Sequence, residues 1–190
     1  LVLRYPQSAK LWKESIWLKS LFGLVTLVPF FWSLVAIRGY NFYHDPMMGS
    51  WILLFVMGLV WAADSGAYFF GKAFGKHKLA VQISPGKSIE GAVGGLFLCY
   101  IYAFLCVTYL PLGDTLFGAW AIRFGWVPMF VMVTVLAAFS VFGDLFESQL
   151  KRLAGVKDSS HLLPGHGGVL DRVDALIPTM PIAALLAGLI

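Results

Sequence analysis

"WILLFVMGLVWAADSGAYFFGKAFGK", residues 51–76, decides the fold before any other stretch is read. Asp64 stands 13 positions after Trp51, and no charged residue lies between them. As a helix that run covers roughly 20 Å, most of a hydrocarbon core about 30 Å thick. An acid then appears near the far boundary, followed by Lys72 and Lys76. This is the pattern of a transmembrane helix that emerges into a charged loop.

The rest of the chain agrees. Its 190 residues are 59% hydrophobic and 13% charged, with mean hydropathy +0.79. A soluble domain carries about a quarter charged residues, so a water-soluble enzyme is excluded. The chain opens "LVLRYPQSAK", with no initiator Met and no signal-peptide pattern. It reads as the later part of a longer membrane protein, a single membrane domain over 1–190. Cys99 and Cys106 lie seven apart in one apolar run. Helical rise separates them by roughly 10 Å, too far for a disulfide, so they are packing residues.

Five segments are apolar over about the length a spanning helix needs: 16–37, 48–70, 88–110, 125–146 and 175–190. The expected fold is therefore all-α and polytopic, with about five transmembrane helices. The linkers 38–47 and 111–124 are short, and the linkers 71–87 and 147–174 are rich in Lys, Gly and Asp. No internal repeat or low-complexity tract appears.

Charge sets the orientation. Twelve basic residues, from Arg4, Lys10, Lys13 and Lys19 through Lys72, Lys76, Lys78 and Lys87 to Lys151, Arg152, Lys157 and Arg172, fall on one side. Arg38 and Arg123 alone fall on the other, which accounts for all 14. The positive-inside rule makes the two polar loops cytoplasmic. Trp51, Trp120 and Trp126 then mark the outer interface, with Trp12 and Trp17 at the inner one.

Asp144 lies 17 positions beyond Val127, roughly 25 Å along its helix, and so shares the depth of Asp64. A carboxylate at such depth costs a few kcal/mol unless paired, hydrated or metal-bound. Simple snorkelling or a salt bridge explains either acid alone. Two acids at one depth, each feeding a charged loop on the same side, favour a shared polar site at the cytoplasmic face.

The region 144–174 is the richest in chemistry. Asp144, Ser148 and Lys151 are spaced i, i+4, i+7 and share a helix face, with Glu147 adjacent. Lys151 and Arg152 suit the last turn, and Gly155 suits a C-terminal cap. Such a stripe binds a metal ion and a phosphate together, or is an ordinary amphipathic helix end. Further on, "PGHGGVLDRVDAL" (164–176) sets glycines that let backbone N–H groups approach an anion just before Asp171 and Asp174. Those two acids are i, i+3, on one face if a helix begins there. Capping accounts for one of them and not comfortably for both. Oxygen donors of this kind suit Mg²⁺, which takes one or two carboxylates plus substrate phosphates.

Three other motifs are weak. "SPGKS" (84–88) resembles the end of a phosphate loop, but Val81 stands where glycine is required and no strand is expected before it. His161 and His166 lack the other ligands of a zinc site. "FFGKAFGKHK" is too short a loop to bind nucleic acid.

Taken together, "SQLKRLAGVKDSSHLLPGHGGVLDRVD" (148–174) closely resembles the signature of the CDP-diacylglycerol synthases, or phosphatidate cytidylyltransferases. "ADSGAYFFGKAFGKHKLA" and "SPGKSIEGAVGG" also resemble bacterial members, and the similarity covers essentially the whole chain. The sequence departs from the family at Val81, where proline is usual, and at Ser160, where glycine is common. Family members are also longer, with additional N-terminal spans.

The resemblance implies transfer of CMP from CTP to phosphatidate, giving CDP-diacylglycerol and pyrophosphate in phospholipid biosynthesis. It implies a bacterial inner-membrane enzyme whose active site faces the cytoplasm. Asp144 and Asp171 would hold Mg²⁺, with Asp174 beside them and room for a second cation. Ser148 and Lys151 would meet phosphate. Lys72, Lys76, Lys87 and Ser88, with Gly167 and Gly168, would face the triphosphate or the lipid headgroup. Asp64 and Ser65 would line the same cavity, and Arg152, Lys157, Asp158, His166 and Arg172 complete the matched signature. The partners implied are CTP, phosphatidate and the bilayer, with no nucleic acid; a homodimer is left open.

Two other functions fit the class of site: a CTP-dependent kinase of a polyprenyl alcohol, and a transporter using intramembrane acids. Transporters place coupling sites near the midplane, whereas these acids sit off-centre.

Overall fold

Four helices among the described residues are long and apolar enough to cross a bilayer. The computed structural model describes residues 16–110, 115–160, 162 and 167–189. Within them α1 (Ile16–Arg38), α2 (Met48–Phe74), α3 (Ile89–Tyr109) and α5 (Trp126–Ala154) are long and apolar enough to span. The shorter α4 (Leu116–Phe124), α6 (Leu170–Val173) and α7 (Leu176–Ala187) complete the bundle. Arg4, Lys10, Lys13, Trp12, His161 and His166 lie outside the described residues.

Several boundaries differ from the sequence reading, each for a local reason. Of the segment 175–190, Leu176–Ala187 form a helix of 12 residues, about 18 Å long. The linker 111–124 contains α4, started by Thr115, whose Oγ1 accepts from the Gly118 N–H at 2.8 Å. Nine residues are too few to register as a span. As expected, Gly155 caps the end of α5, a helix of 29 residues, at φ +73°, the left-handed conformation that glycine adopts readily. Trp120 is not a free interfacial ring: its indole donates to the Leu186 carbonyl at 3.1 Å. Cys99 and Cys106 are unpaired and buried, as packing residues should be.

The fold is not wholly helical. Residues Lys78–Ala80 (β1) and Ser84–Ser88 (β2) pair antiparallel as a small hairpin between α2 and α3. A strand therefore does precede "SPGKS", contrary to expectation, and "SPGKS" is itself extended. A phosphate loop is still excluded, because these residues form a strand and not a loop wrapped around an anion.

Close backbone packing joins α2 and α3, on either side of this hairpin. A Cβ at Gly95 would lie 2.6 Å from the Ala63 carbonyl oxygen, and one at Gly91 would lie 2.7 Å from that of Ala67. Only glycine permits such a backbone approach. The two helix ends are thereby pinned together, and the hairpin they carry projects over the end of α5. There the Arg152 Nε donates to the Ile83 carbonyl at 3.3 Å.

Candidate active site

The i, i+4, i+7 spacing on α5 places its polar stripe where three other elements arrive. From the hairpin, Lys87 forms an ion pair with Asp144. One turn on, the Ser148 hydroxyl lies 3.5 Å from Asp144 Oδ1. A turn further, Lys151 Nζ is shared between Glu147 Oε2 at 2.5 Å and Asp171 Oδ1 at 2.7 Å. Asp171 comes from α6, so the stripe ties hairpin, spanning helix and signature loop into one cluster.

Asp171 also organises the loop before it. Its Oδ2 accepts from the Gly168 N–H at 2.7 Å, the Ser159 N–H at 3.0 Å and the Ser159 hydroxyl at 2.9 Å. Gly168 is required there, since a Cβ would collide with the Ser159 hydroxyl. Burial opposes ionisation of Asp171. The Lys151 ammonium and the Gly168 and Ser159 donors outweigh it, holding the carboxyl well below the usual range.

Asp174 behaves in the opposite way. Burial, the negative charge of Asp144 and the charge of Asp64 together push it up to about 6, against smaller opposing pulls from the Ala175 N–H and from Lys87. Asp64, from α2, and Asp174, from the turn between α6 and α7, are therefore electrostatic neighbours of Asp144. Three helices and the turn after α6 deliver carboxylates to one region, and the lysines offset only part of their charge.

Such a surplus of hard oxygen donors fits a divalent cation. Among the described residues no group of three or more His, Cys, Asp or Glu is arranged to hold a metal unaided. A cation would then complete its shell with phosphate or water, which is the habit of Mg²⁺.

Not every expected residue joins this cluster. Lys72 lies exposed over the Tyr68 ring, 5.8 Å from its centroid, and Lys76, Lys157 and Asp158 are exposed. Ser65 is exposed on α2 beside Asp64, and Arg172 is exposed on α6. Ser88 is turned inward, where its hydroxyl caps α3 by accepting from the Gly91 N–H at 3.1 Å. Arg152 holds the hairpin, and Gly167, at φ +77°, shapes the loop.

Comparison with known proteins identifies the cluster's setting. Residues 5–190 match the model of the "Cytidylyltransferase family". This chain belongs to that family. A phosphatidate cytidylyltransferase of Haemophilus influenzae is 49% identical over 95% of this chain and 61% of its own length. A protein of the same name from Pseudomonas aeruginosa is 44% identical over 98% of the chain and 63% of its own length. One from Staphylococcus aureus is 36% identical over 98% and 75%. The chain thus spans about three fifths of the length of the first two relatives.

Two parts of the candidate site carry little sequence signal. Glu147 is 5% exposed, and the Lys151 ammonium is the partner of an otherwise dry carboxylate. Its place beside the stripe marked it as a neighbour, while its burial depends on α6 and α7. The second part is a groove of about 430 Å³ between α1, α5 and α7. Phe22, Leu27, Phe142, Phe146 and Ile177 line its apolar body, Glu147 and Asp174 its inner end, and Lys19 also borders it. An apolar trough therefore leads into the acid–lysine cluster.

Proposed function

We propose that the protein transfers CMP from CTP to phosphatidate, forming CDP-diacylglycerol and pyrophosphate. The observation that carries this reading is the meeting of an acid–lysine cluster with an apolar groove at one helix end. A nucleotide from water and a phosphate-bearing lipid from the bilayer can both reach such a place. The family membership and the names of its relatives support the same reading.

In the reaction, an oxygen of the lipid phosphate attacks the α-phosphorus of CTP. The bond from that phosphorus to the bridging oxygen breaks, and pyrophosphate leaves with the electron pair. Both reactants are anions, so the protein's task is to offset charge and align them. Lys87 and Lys151 would turn from Asp144 and Asp171 toward phosphate oxygens. Ser148 and the N–H group at Gly167 would donate to the same groups, while the Gly168 N–H stays on Asp171. Asp144 and Asp171, with Asp174 beside them, would hold Mg²⁺. Bound there, the ion would offset negative charge on the triphosphate. Phe22, Phe142 and Phe146 would meet the acyl chains. The positive-inside count supports a cytoplasm-facing site, and the bacterial relatives support a bacterial membrane as its setting.

The test is product analysis with the protein in lipid nanodiscs, supplied with phosphatidate, Mg²⁺ and CTP labelled at the α-phosphate. Label in a lipid product together with released pyrophosphate is expected. Release of labelled CDP would point instead to a lipid kinase, and no turnover of CTP would overturn the enzymatic reading.

A further inference from the structure

Outside the cluster, several contacts converge on one carboxylate. Glu90, in the first turn of α3, accepts from the Lys76 N–H at 3.2 Å and from the His77 N–H at 3.1 Å. His77 Nδ1 stands 2.6 Å from Glu90 Oε1. With Glu90 ionised, Nδ1 carries the proton. An acid in a first turn is ordinarily explained by the helix dipole or by capping. Here the cap is already supplied by Ser88, and Glu90 reaches 13 and 14 residues back along the chain.

Those contacts close the base of the hairpin. The Ile89 N–H donates to the His77 carbonyl at 2.9 Å, and Lys78 pairs in register with Ser88. On the inner flank the closure is steric, since a Cβ at Gly75 would lie 2.8 Å from the Ser88 hydroxyl. Arg152 ties the far end of the hairpin to α5 through Ile83. Lys87 sits between these two ties, one residue before the buried Ser88, with its ammonium on Asp144.

We propose that Glu90 is a positioning residue: by clasping residues 76–77 to the start of α3, it fixes where the Lys87 ammonium stands over the cluster. The inference rests on the proposed role of Lys87 as a phosphate-facing cation. Glu90 touches no reacting group and acts through Lys87. Charge-assisted hydrogen bonds make the clasp stiff, and small displacements of an aligning group are costly in phosphoryl chemistry.

The experiment compares wild type, E90Q, E90A, H77A, K87A and the double variant K87A/E90A in nanodiscs. It reads kcat and KM for CTP, binding of labelled CTP without lipid, and amide hydrogen exchange over 75–90. We expect E90A to weaken CTP binding about tenfold, equivalent to about 1.4 kcal/mol, with a smaller effect on kcat. E90Q, whose amide oxygen still accepts from the backbone, should regain part of the loss, and H77A should lose less than E90A. The double variant should be no worse than K87A, because the lysine to be positioned is gone. Faster exchange over 76–89 should accompany E90A while α5 is unchanged. Independent losses that multiply in the double variant, or unaltered hairpin exchange in both E90Q and E90A, would overturn the proposal. If E90A does not fold, E90Q and H77A carry the same comparison. A wild type that binds CTP and shows the coupling, yet forms no CDP-diacylglycerol, would sink the reaction and leave the clasp standing.

Discussion

The wall between α2 and α3 and the seam between α5 and α6 are built from opposite materials. At the first, Gly91, Gly95, Ala63 and Ala67 bring two backbones together with almost no side chain between them. At the second, Lys151 is shared by Glu147 and Asp171, while Lys87 covers Asp144. Apolar side chains gain little by leaving lipid for each other, so a membrane interface relies on close packing instead. Charges in such a place persist only when each has a partner. The glycine wall should thus fail when an atom is added, and the charged seam when one is taken away.

The largest effect should come from a change that removes charge and keeps shape. Asp144→Asn is expected to lower CDP-diacylglycerol formation by about 100-fold or more, the scale on which loss of one charge-stabilising group acts. Its thermal unfolding in detergent should stay close to wild type, because Asp144 is partly open to solvent. Near-normal turnover would remove Asp144 from the proposed reaction and dissolve the functional meaning of the seam.

Lys151→Met should damage both fold and function. It strands the Glu147 carboxylate, which is 5% exposed, and breaking a buried pair from one side costs about 3–5 kcal/mol. Adding Glu147→Leu should return most of the stability, read as the unfolding midpoint, and none of the activity. If the single variant unfolds like wild type, the pair contributes nothing to stability and the contrast with the glycine wall loses one side.

The unequal legibility of these regions has the same origin. Residues 51–76 declared a spanning helix because hydrocarbon thickness sets a length that one chain segment must meet alone. The end of α5 was equally plain, since a polar stripe, cations in the last turn and Gly155 are all local signals. The hairpin at 78–88 was hidden. Its strands of three and five residues depend on Ile83 packing beside α5 and on the Glu90 clasp, partners distant in sequence. The grouping of Asp64, Asp144 and Asp174 was only partly readable. Depth related the first two, whereas the drawing of Asp174 toward them depends on how α6 and α7 fold back.

The smallest effect is also the cleanest separation of packing from propensity. Gly23 and Gly95 both lie inside spanning helices, and alanine is the better helix former at either position. Around Gly23 nothing lies within 4 Å of an added Cβ, so Gly23→Ala should raise stability by up to about 1 kcal/mol. At Gly95 the same methyl meets the Ala63 carbonyl oxygen at 2.6 Å, and that atom belongs to a helix backbone that cannot rotate away. The helices must separate, and Gly95→Ala should lose about 1–3 kcal/mol, the usual cost of overpacking. Thermal unfolding of the two variants side by side should show shifts of opposite sign. Shifts of the same sign would mean that helix propensity, and not backbone approach, governs the α2–α3 wall.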